Sequence, residues 1–267
     1  MKEVKIGDHI ILGKGRPIAV QSMLNVKTTD VAAAMAQIKA LAAAGCDIVR
    51  LAVPDEAAAA AMESLVQQSP VPLVADIHFD YRLALMCIER GVAKVRINPG
   101  NIGGEDRVRM VAKAAREKGI PIRVGVNGGS LEKGLLQQGG GSVAHAMVES
   151  ARHHASLLER FDFDDIVISM KSSSVRETIR AYRLARDTFD YPLHVGVTEA
   201  GAYESGLVKS AIGIGSLLAD GIGETIRVSL TDDPVQEVYA AHKILRALGL
   251  GKDCIEVVSC PTCGRTK

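Results

Sequence analysis

The chain has 267 residues, 47% of them hydrophobic and 24% charged but only 3% aromatic, with no Trp and a formal net charge of +1. A balance this close to neutral excludes a general polyanion-binding surface, so nucleic acid is not an expected partner and any cationic site must be local. No run of about 18 uncharged apolar residues is available to span a membrane. The opening MKEVKIGDHIILGKG has neither a signal-peptide apolar region nor transit-peptide character, so a cytoplasmic location is expected.

Taken in order, residues 2–15 alternate charge and apolar character as a short β-ribbon would. One pattern then recurs eight times: an apolar, β-branched run, a polar or glycine turn, and a helical period. The predicted strands are 17–23, 47–53, 72–77, 94–98, 122–127, 166–171, 194–199 and 225–230. The predicted helices are 30–44, 55–68, 80–90, 104–118, 142–160, 175–188, 204–219 and 233–247. Asp30 and Asp55 stand where N-caps belong, and Gly45, Gly91, Gly119 and Gly221 where a left-handed C-terminal residue belongs. The Ala-rich stretches Val31–Ala44 and Asp55–Met62 read as good helix formers packed closely on a sheet. Eight β–α units without a break imply an α/β chain folded as a (β/α)8 TIM barrel, with a short N-terminal β-ribbon, over residues 1–250. An open doubly wound sheet is the competing topology, but no dinucleotide fingerprint follows the first strand. The longest connection, 127–142 (NGGSLEKGLLQQGGGS), is a candidate mobile loop over the C-terminal ends of the strands.

The chemistry gathers in the strands. The stretch Lys94–Gly104 (KVRINPGNIGG) reads as a buried strand with an arginine inside it, and a buried arginine needs an anion. In a barrel alternate residues face the lumen, and the site lies at the C-terminal strand ends. On that parity Arg96 shares a face with Asn98, Arg123 with Gly125 and Asn127, Arg227 with Thr225 and Ser229, Asp76 with His78, and Lys171 with Ser169, while Arg50 sits mid-strand. A glycine-to-arginine spacing recurs at Gly45/Arg50, Gly91/Arg96, Gly119/Arg123 and Gly223/Arg227, delivering a cation to a similar height on each strand. Turned inward, these arginines and Lys171 form a ring that one multiply charged anion, a phosphate or diphosphate, would satisfy. The competing reading is a purely architectural network in which Asp76 and Glu199 pair with the arginines. Gly125 and Gly196 would leave room for the anion. His194 reads as a hydrogen-bonded core histidine, and Glu199, at the end of the seventh strand, as a carboxyl able to donate a proton over the mouth.

Cys46 and Cys87 read as small buried hydrophobes. Cys260 and Cys263 form a Cys-x-x-Cys in the tail, fit to bracket a soft metal, a cluster or a redox disulfide. Two thiolates do not complete a metal site, and Cys254 is not expected to be a third ligand.

Five motifs in order, covering essentially the whole chain, carry a resemblance: Gln21-Ser-Met23, Arg96-Ile-Asn-Pro-Gly-Asn-Ile-Gly103, Arg123-Val-Gly-Val-Asn-Gly-Gly-Ser130, Val197-Thr-Glu-Ala-Gly201 and Ser259-Cys-Pro-Thr-Cys-Gly-Arg265. Together they resemble the bacterial 4-hydroxy-3-methylbut-2-enyl diphosphate synthases of the non-mevalonate isoprenoid pathway. The resemblance implies an iron–sulfur oxidoreductase that reduces 2-C-methyl-D-erythritol 2,4-cyclodiphosphate by two electrons, opening the ring and expelling a hydroxyl. It implies a cationic mouth of Arg50, Arg96, Arg123, Lys171 and Arg227, neutral donors Asn98, Asn127 and Ser229 with Asp76 and His78 nearby, and Glu199 protonating the departing oxygen. It further implies a [4Fe-4S] cluster in a C-terminal domain whose first two cysteine ligands match Cys260 and Cys263, a flavodoxin or ferredoxin as electron donor, and a homodimer in which one subunit's cluster domain caps its partner's barrel. The remaining cluster ligands of the family have no counterpart in this sequence. Residues 251–267 are therefore expected to be the truncated start of that domain, and the barrel to be inactive alone. The alternative is a non-redox phosphate- or pterin-binding barrel whose Cys pair holds zinc. A scaffold without a ligand fits poorly with costly cationic strand ends.

Overall fold

The computed structural model describes residues 1–131, 134, 136, 141–251, 259, 260 and 262–264. A two-stranded antiparallel ribbon, β1 (Val4–Ile6) and β2 (Ile10–Leu12), precedes a barrel of eight parallel strands. These are β3 (Ala19–Met23), β4 (Ile48–Ala52), β5 (Leu73–Asp76), β6 (Lys94–Ile97), β7 (Ile122–Asn127), β8 (Ile166–Lys171), β9 (His194–Val195) and β10 (Thr225–Ile226). Around them run α1 (Val31–Ala43), α2 (Glu56–Gln68), α3 (Tyr81–Glu89), α4 (Glu105–Lys118), α5 (Val143–Glu159), α6 (Val175–Thr188), α7 (Tyr203–Ala219) and α8 (Pro234–Ala247).

The sheet runs β8-β7-β6-β5-β4-β3-β10-β9, and a parallel bridge between Ile168 and Leu193 joins its two ends into a closed barrel. That seam is the thinnest part of the ladder, and it is pinned from two sides. The Tyr182 hydroxyl of α6 accepts from Met170 N–H at 2.9 Å and donates to the His194 carbonyl, bridging the two strands where they part. Below it, the Leu193 N–H donates to the buried Glu224 carboxylate at 2.7 Å.

Period-two alternation divides the strand residues between two environments. Val49, Leu51, Ala75, Val95, Ile97, Val124 and Ile168 point outward and join the main core beneath the helices. Ala19, Ile48, Val74 and Val167, low on the inward face, meet Val4, Ile6 and Leu12 of the ribbon. The ribbon thus closes the lower end of the lumen with hydrocarbon, each fully buried aliphatic side chain there stabilising by about 1.5–3 kcal/mol.

The helix ends follow their local chemistry. Asp30 and Asp55 accept from Ala33 N–H at 3.0 Å and Ala58 N–H at 2.8 Å, so both act as N-caps. Gly45, Gly91, Gly119 and Gly221 all have positive φ, as a left-handed helix end requires. The last two strands are shorter than their apolar runs predict. Leu230 N–H is taken by the Glu237 carboxylate of α8 at 3.1 Å, which draws the chain after β10 away from the sheet, and Glu199 after β9 turns with a φ of 52°. Of the expected mobile loop 127–142, the described part includes a 3-10 turn at Gly128–Ser130, and residues 132, 133, 135 and 137–140 lie outside the described residues.

Candidate active site

The sequence ring of inward cations exists in space. Asp76, at the end of β5 and almost completely buried, organises its upper layer. Its Oδ1 accepts from Arg96 Nη1 at 3.1 Å, and its Oδ2 lies 3.5 Å from Arg50 Nε and 3.6 Å from His78 Nε2. Strand register sets Asp76 beside Arg96, and Arg96 beside Arg123 of β7. Arg50 also turns its fork onto the Met23 thioether, Nη2 to Sδ being 2.7 Å, which is a weak acceptor for a guanidinium. Arg227, just past β10, is held by Glu237, with Nη2 to Oε1 at 3.1 Å. Glu237 in turn accepts from Ser22 Oγ at 3.0 Å.

Arg123 has no such relief. It is 1% exposed, and neither its Nε nor its Nη1 has a partner. The Arg96 Nε is likewise buried without one. Lys171, closing β8, and Lys94, opening β6, are buried and form no ion pair among the described residues. Six basic side chains, Arg50, Lys94, Arg96, Arg123, Lys171 and Arg227, therefore share the lumen with two carboxylates, Asp76 and Glu237. Two like charges about 5 Å apart in surroundings of effective dielectric about 20 repel by about 3 kcal/mol. A buried excess of this kind calls for a multiply charged anion.

The ionisation of these groups reflects the imbalance. Burial pushes Arg50 down to about 10 although Asp76 works the other way. Burial, reinforced by the neighbouring arginines, drives Arg123 and Lys171 well below their ordinary ranges. Burial opposes the Asp76 carboxylate, but Arg50, the His78 hydrogen bond, Arg96 and Arg123 outweigh it and hold Asp76 well below the usual carboxylate range. His194 is fully buried, with Nδ1 3.3 Å from Thr225 Oγ1, and burial together with Lys171 and Arg123 pushes it far below 6.5, so it is a neutral core histidine as expected.

Other predicted residues take less direct positions. His78 is exposed at the rim beside the highly exposed Phe79, with Nε2 3.4 Å from Arg96 Nη1. Asn98 is partly buried, and its side-chain oxygen accepts from Gly100 N–H at 3.1 Å, so it shapes the Pro99–Gly100 turn and keeps its amide N–H group for other work. Asn127 is exposed and level with Lys171, and Ser229 is partly buried beyond β10. Glu199 is exposed just past β9. It forms no ion pair with these arginines among the described residues, so the acid that shares the network with Asp76 is Glu237. Gly125 and Gly196 do not open space for a ligand. A Cβ on Gly125 would lie 2.6 Å from Arg96 Nε, and one on Gly196 would lie 2.5 Å from the Arg227 carbonyl oxygen and 3.2 Å from Lys171 Nζ. These glycines make room for the ring itself.

Glu237 and Lys94 were not among the expected site residues. Glu237 lies in an ordinary amphipathic helix and carries no local signal. Lys94 carried one: it shares parity with Arg96 at the start of the same strand. At the opposite end of the barrel a groove of about 870 Å³ is lined by Gly13–Ile18, Gly221, Glu224, Leu250 and Gly251, but the unsatisfied cations are elsewhere.

Cys260 and Cys263 are exposed, Cys254 lies outside the described residues, and no three His, Cys, Asp or Glu side chains among the described residues converge on a metal position. Iron–sulfur clusters of four irons take four protein ligands. The described residues do not by themselves fit such a group.

A family model described as the GcpE TIM-barrel domain matches residues 1–242. The chain belongs to this family. Its relatives include proteins named 4-hydroxy-3-methylbut-2-en-1-yl diphosphate synthase (flavodoxin). Those from Ruminiclostridium cellulolyticum and Caldanaerobacter subterraneus subsp. tengcongensis are each 59% identical over 100% of this chain and 75% of theirs. The protein of that name from Geobacter sulfurreducens is 55% identical over 99% of this chain and 74% of its own. Among solved structures, dihydropteroate synthase from Stenotrophomonas maltophilia superposes with a TM-score of 0.67 at 14% identity, covering 93% of this chain and 98% of that one. A type I 3-dehydroquinate dehydratase from Clostridium difficile gives 0.62 at 13%, covering 93% and 97%. At such identities the likeness concerns the barrel fold alone. Family membership agrees with the five sequence motifs, and all but the last of these fall within the matched residues.

Proposed function

We propose that this chain is the substrate-binding barrel of a 4-hydroxy-3-methylbut-2-enyl diphosphate synthase, which reduces 2-C-methyl-D-erythritol 2,4-cyclodiphosphate and opens its ring. The observation that carries the reading is the buried excess of lumen cations, with donors on Arg96 and Arg123 left without partners. A cyclic diphosphate supplies the missing acceptors and charge. Arg50 and Arg96, oriented by Asp76, with Arg123, Lys171 and Arg227, bind its phosphoryl oxygens, and Asn98, Asn127, Ser229 and His78 add neutral contacts at the rim. Anchoring by rigid strands fixes the carbon skeleton at the mouth, so that binding energy is used for orientation.

The reaction takes up two electrons, breaks one carbon–oxygen bond to the ring phosphate and releases the hydroxyl as water. Glu199 protonates that oxygen, since hydroxide is a poor leaving group. It stands just past β9, exposed and with a φ of 52°. Cys260 and Cys263 would be two of the ligands of a [4Fe-4S] cluster completed by residues of a C-terminal domain beginning near residue 251, and such a cluster would supply electrons taken from flavodoxin. Gly251 lies at the lower end of the barrel, with Gly13–Ile18 and Glu224. A domain continuing from there starts on the face opposite the cations, which supports a homodimer in which it serves the partner's mouth. No helix among the described residues is long and apolar enough to cross a membrane, in keeping with a cytoplasmic enzyme.

Titration calorimetry of the chain with the cyclodiphosphate, against orthophosphate and a neutral pterin, tests the reading. Binding of the cyclodiphosphate is expected, weakened by about 1.5–3 kcal/mol in Arg123→Ala as a charge-assisted hydrogen bond is lost. No binding, or tighter binding of the pterin, would sink it.

A further inference from the structure

Lys94 is a fully buried basic side chain with no anionic partner among the described residues. It is 0% exposed, and its Nζ has one polar neighbour within hydrogen-bond range, the neutral Gln21 Oε1 at 3.4 Å. Register levels it with Val74 of β5, a member of the apolar cluster with which the ribbon's Val4, Ile6 and Leu12 close the lumen. The groups facing it from the surrounding elements are neutral or cationic. They are Gln21 from β3, Arg50 from β4, Arg123 from β7 and His194 from β9. Asp76 of β5 stands two residues further along its strand and is engaged by Arg50, Arg96 and His78, while Glu237 binds Arg227. Beneath the ring, Gln21 Nε2 and His194 Nε2 are also buried without partners.

An ammonium in that position sits between hydrocarbon below and guanidinium groups above. The only change that would favour it is the arrival of negative charge at the ring. We infer that Lys94 is an uncharged amine while the mouth is empty and takes up a proton from solvent when a diphosphate docks above it. Binding is thereby coupled to proton uptake. The inference rests on the reading of the mouth as a diphosphate site, and goes beyond it by assigning Lys94 a role that needs no contact with the ligand. Burial, with Arg123 and Arg50 adding to it, drives the Lys94 ammonium well below its ordinary range in the empty barrel, in keeping with this arrangement. No covalent bond changes. One N–H bond forms on Nζ, and the proton comes from the buffer.

The test uses the unmodified chain and inorganic pyrophosphate. Calorimetry in three buffers of differing ionisation enthalpy counts protons taken up per binding event. The same titration on Lys94→Met, which keeps the side-chain volume without the amine, subtracts the ligand's own ionisation. The wild type is expected to take up as much as one proton more than the variant, and its Kd to rise about tenfold more per pH unit across the window where Lys94 is neutral in the free barrel. Equal proton counts would overturn the inference. Should Lys94→Met fail to fold, the ¹⁵Nζ and ¹³Cε shifts of Lys94 in the wild-type chain decide it. Amine values free and ammonium values bound are expected, and ammonium values in both states overturn the coupling. Absence of any pyrophosphate binding refutes instead the reading of the mouth on which the coupling depends.

Discussion

A methyl group placed at Gly125 should disarm Arg96 without touching it chemically. The added Cβ of Gly125→Ala would stand 2.6 Å from Arg96 Nε and 3.0 Å from Nη2, whereas ordinary contact begins near 3.4 Å, so the guanidinium must withdraw by the difference, about 0.8 Å at Nε. Gly125 lies in a regular stretch of β7 and is not among the positive-φ glycines, so alanine adds no backbone strain there. Withdrawal of that size takes the fork out of hydrogen-bond geometry with a ligand placed for the wild type, which costs about 1.5–3 kcal/mol of binding, roughly 10- to 150-fold in Kd. Overpacking should lower stability by about 1–3 kcal/mol and leave the chain folded. Calorimetry with inorganic pyrophosphate, with a thermal melt as the control for folding, measures both. In an Arg96→Ala background the obstacle has gone, and Gly125→Ala should add less than about 0.5 kcal/mol to the loss. Affinity within twofold of wild type for the single variant, or full additivity in the double, would refute the claim that this glycine exists for Arg96.

Three further outcomes follow from the same contacts. Tyr182→Phe removes the hydroxyl that bridges Met170 N–H and the His194 carbonyl, leaving two buried backbone groups without partners. It should cost about 2–4 kcal/mol in a urea titration, and a loss under 1 kcal/mol would mean the seam does not depend on it. Glu237→Gln strands the Arg227 cation and should cost about 3–5 kcal/mol. Saturating pyrophosphate should then raise the variant's melting temperature by more than it raises the wild type's, and an equal rise would speak against Arg227 facing the ligand. His154 is buried with Nδ1 unpartnered, and burial, then His153, lowers it to about 4. The unfolded imidazole titrates near 6.5 and binds the extra proton between those values, so stability should be level above pH 6.5 and fall by up to about 3 kcal/mol as pH drops to 4. His154→Leu should remove that slope in denaturant titrations compared at matched pH, and an unchanged slope would assign the loss to other groups.

Much of the site could be read directly from residue order. The period of two specifies which face Arg50, Arg96 and Arg123 take, and the structure turns all three into the lumen around Asp76. The helix ends at Asp30, Asp55, Gly45, Gly91, Gly119 and Gly221 were equally legible, because caps and left-handed turns are decided by neighbouring residues. What parity cannot specify is a partner. Glu237 joins Ser22, 215 positions away in the chain, and Arg227 only because barrel closure brings α8 over β3 and β10. The same closure gives Gly125 and Gly196 their purpose, since the atoms they avoid come from other strands or loops. It also cuts β10 short, through the carboxylate that takes Leu230 N–H. The sequence by itself determined the barrel, its inward face and the family, since all three rest on local periodicity and ordered motifs. Only the tertiary structure decided which cations are paired and which are left over. That depends on distances across the lumen and on the ribbon that seals Lys94 from water, and neither is encoded by any one stretch of chain.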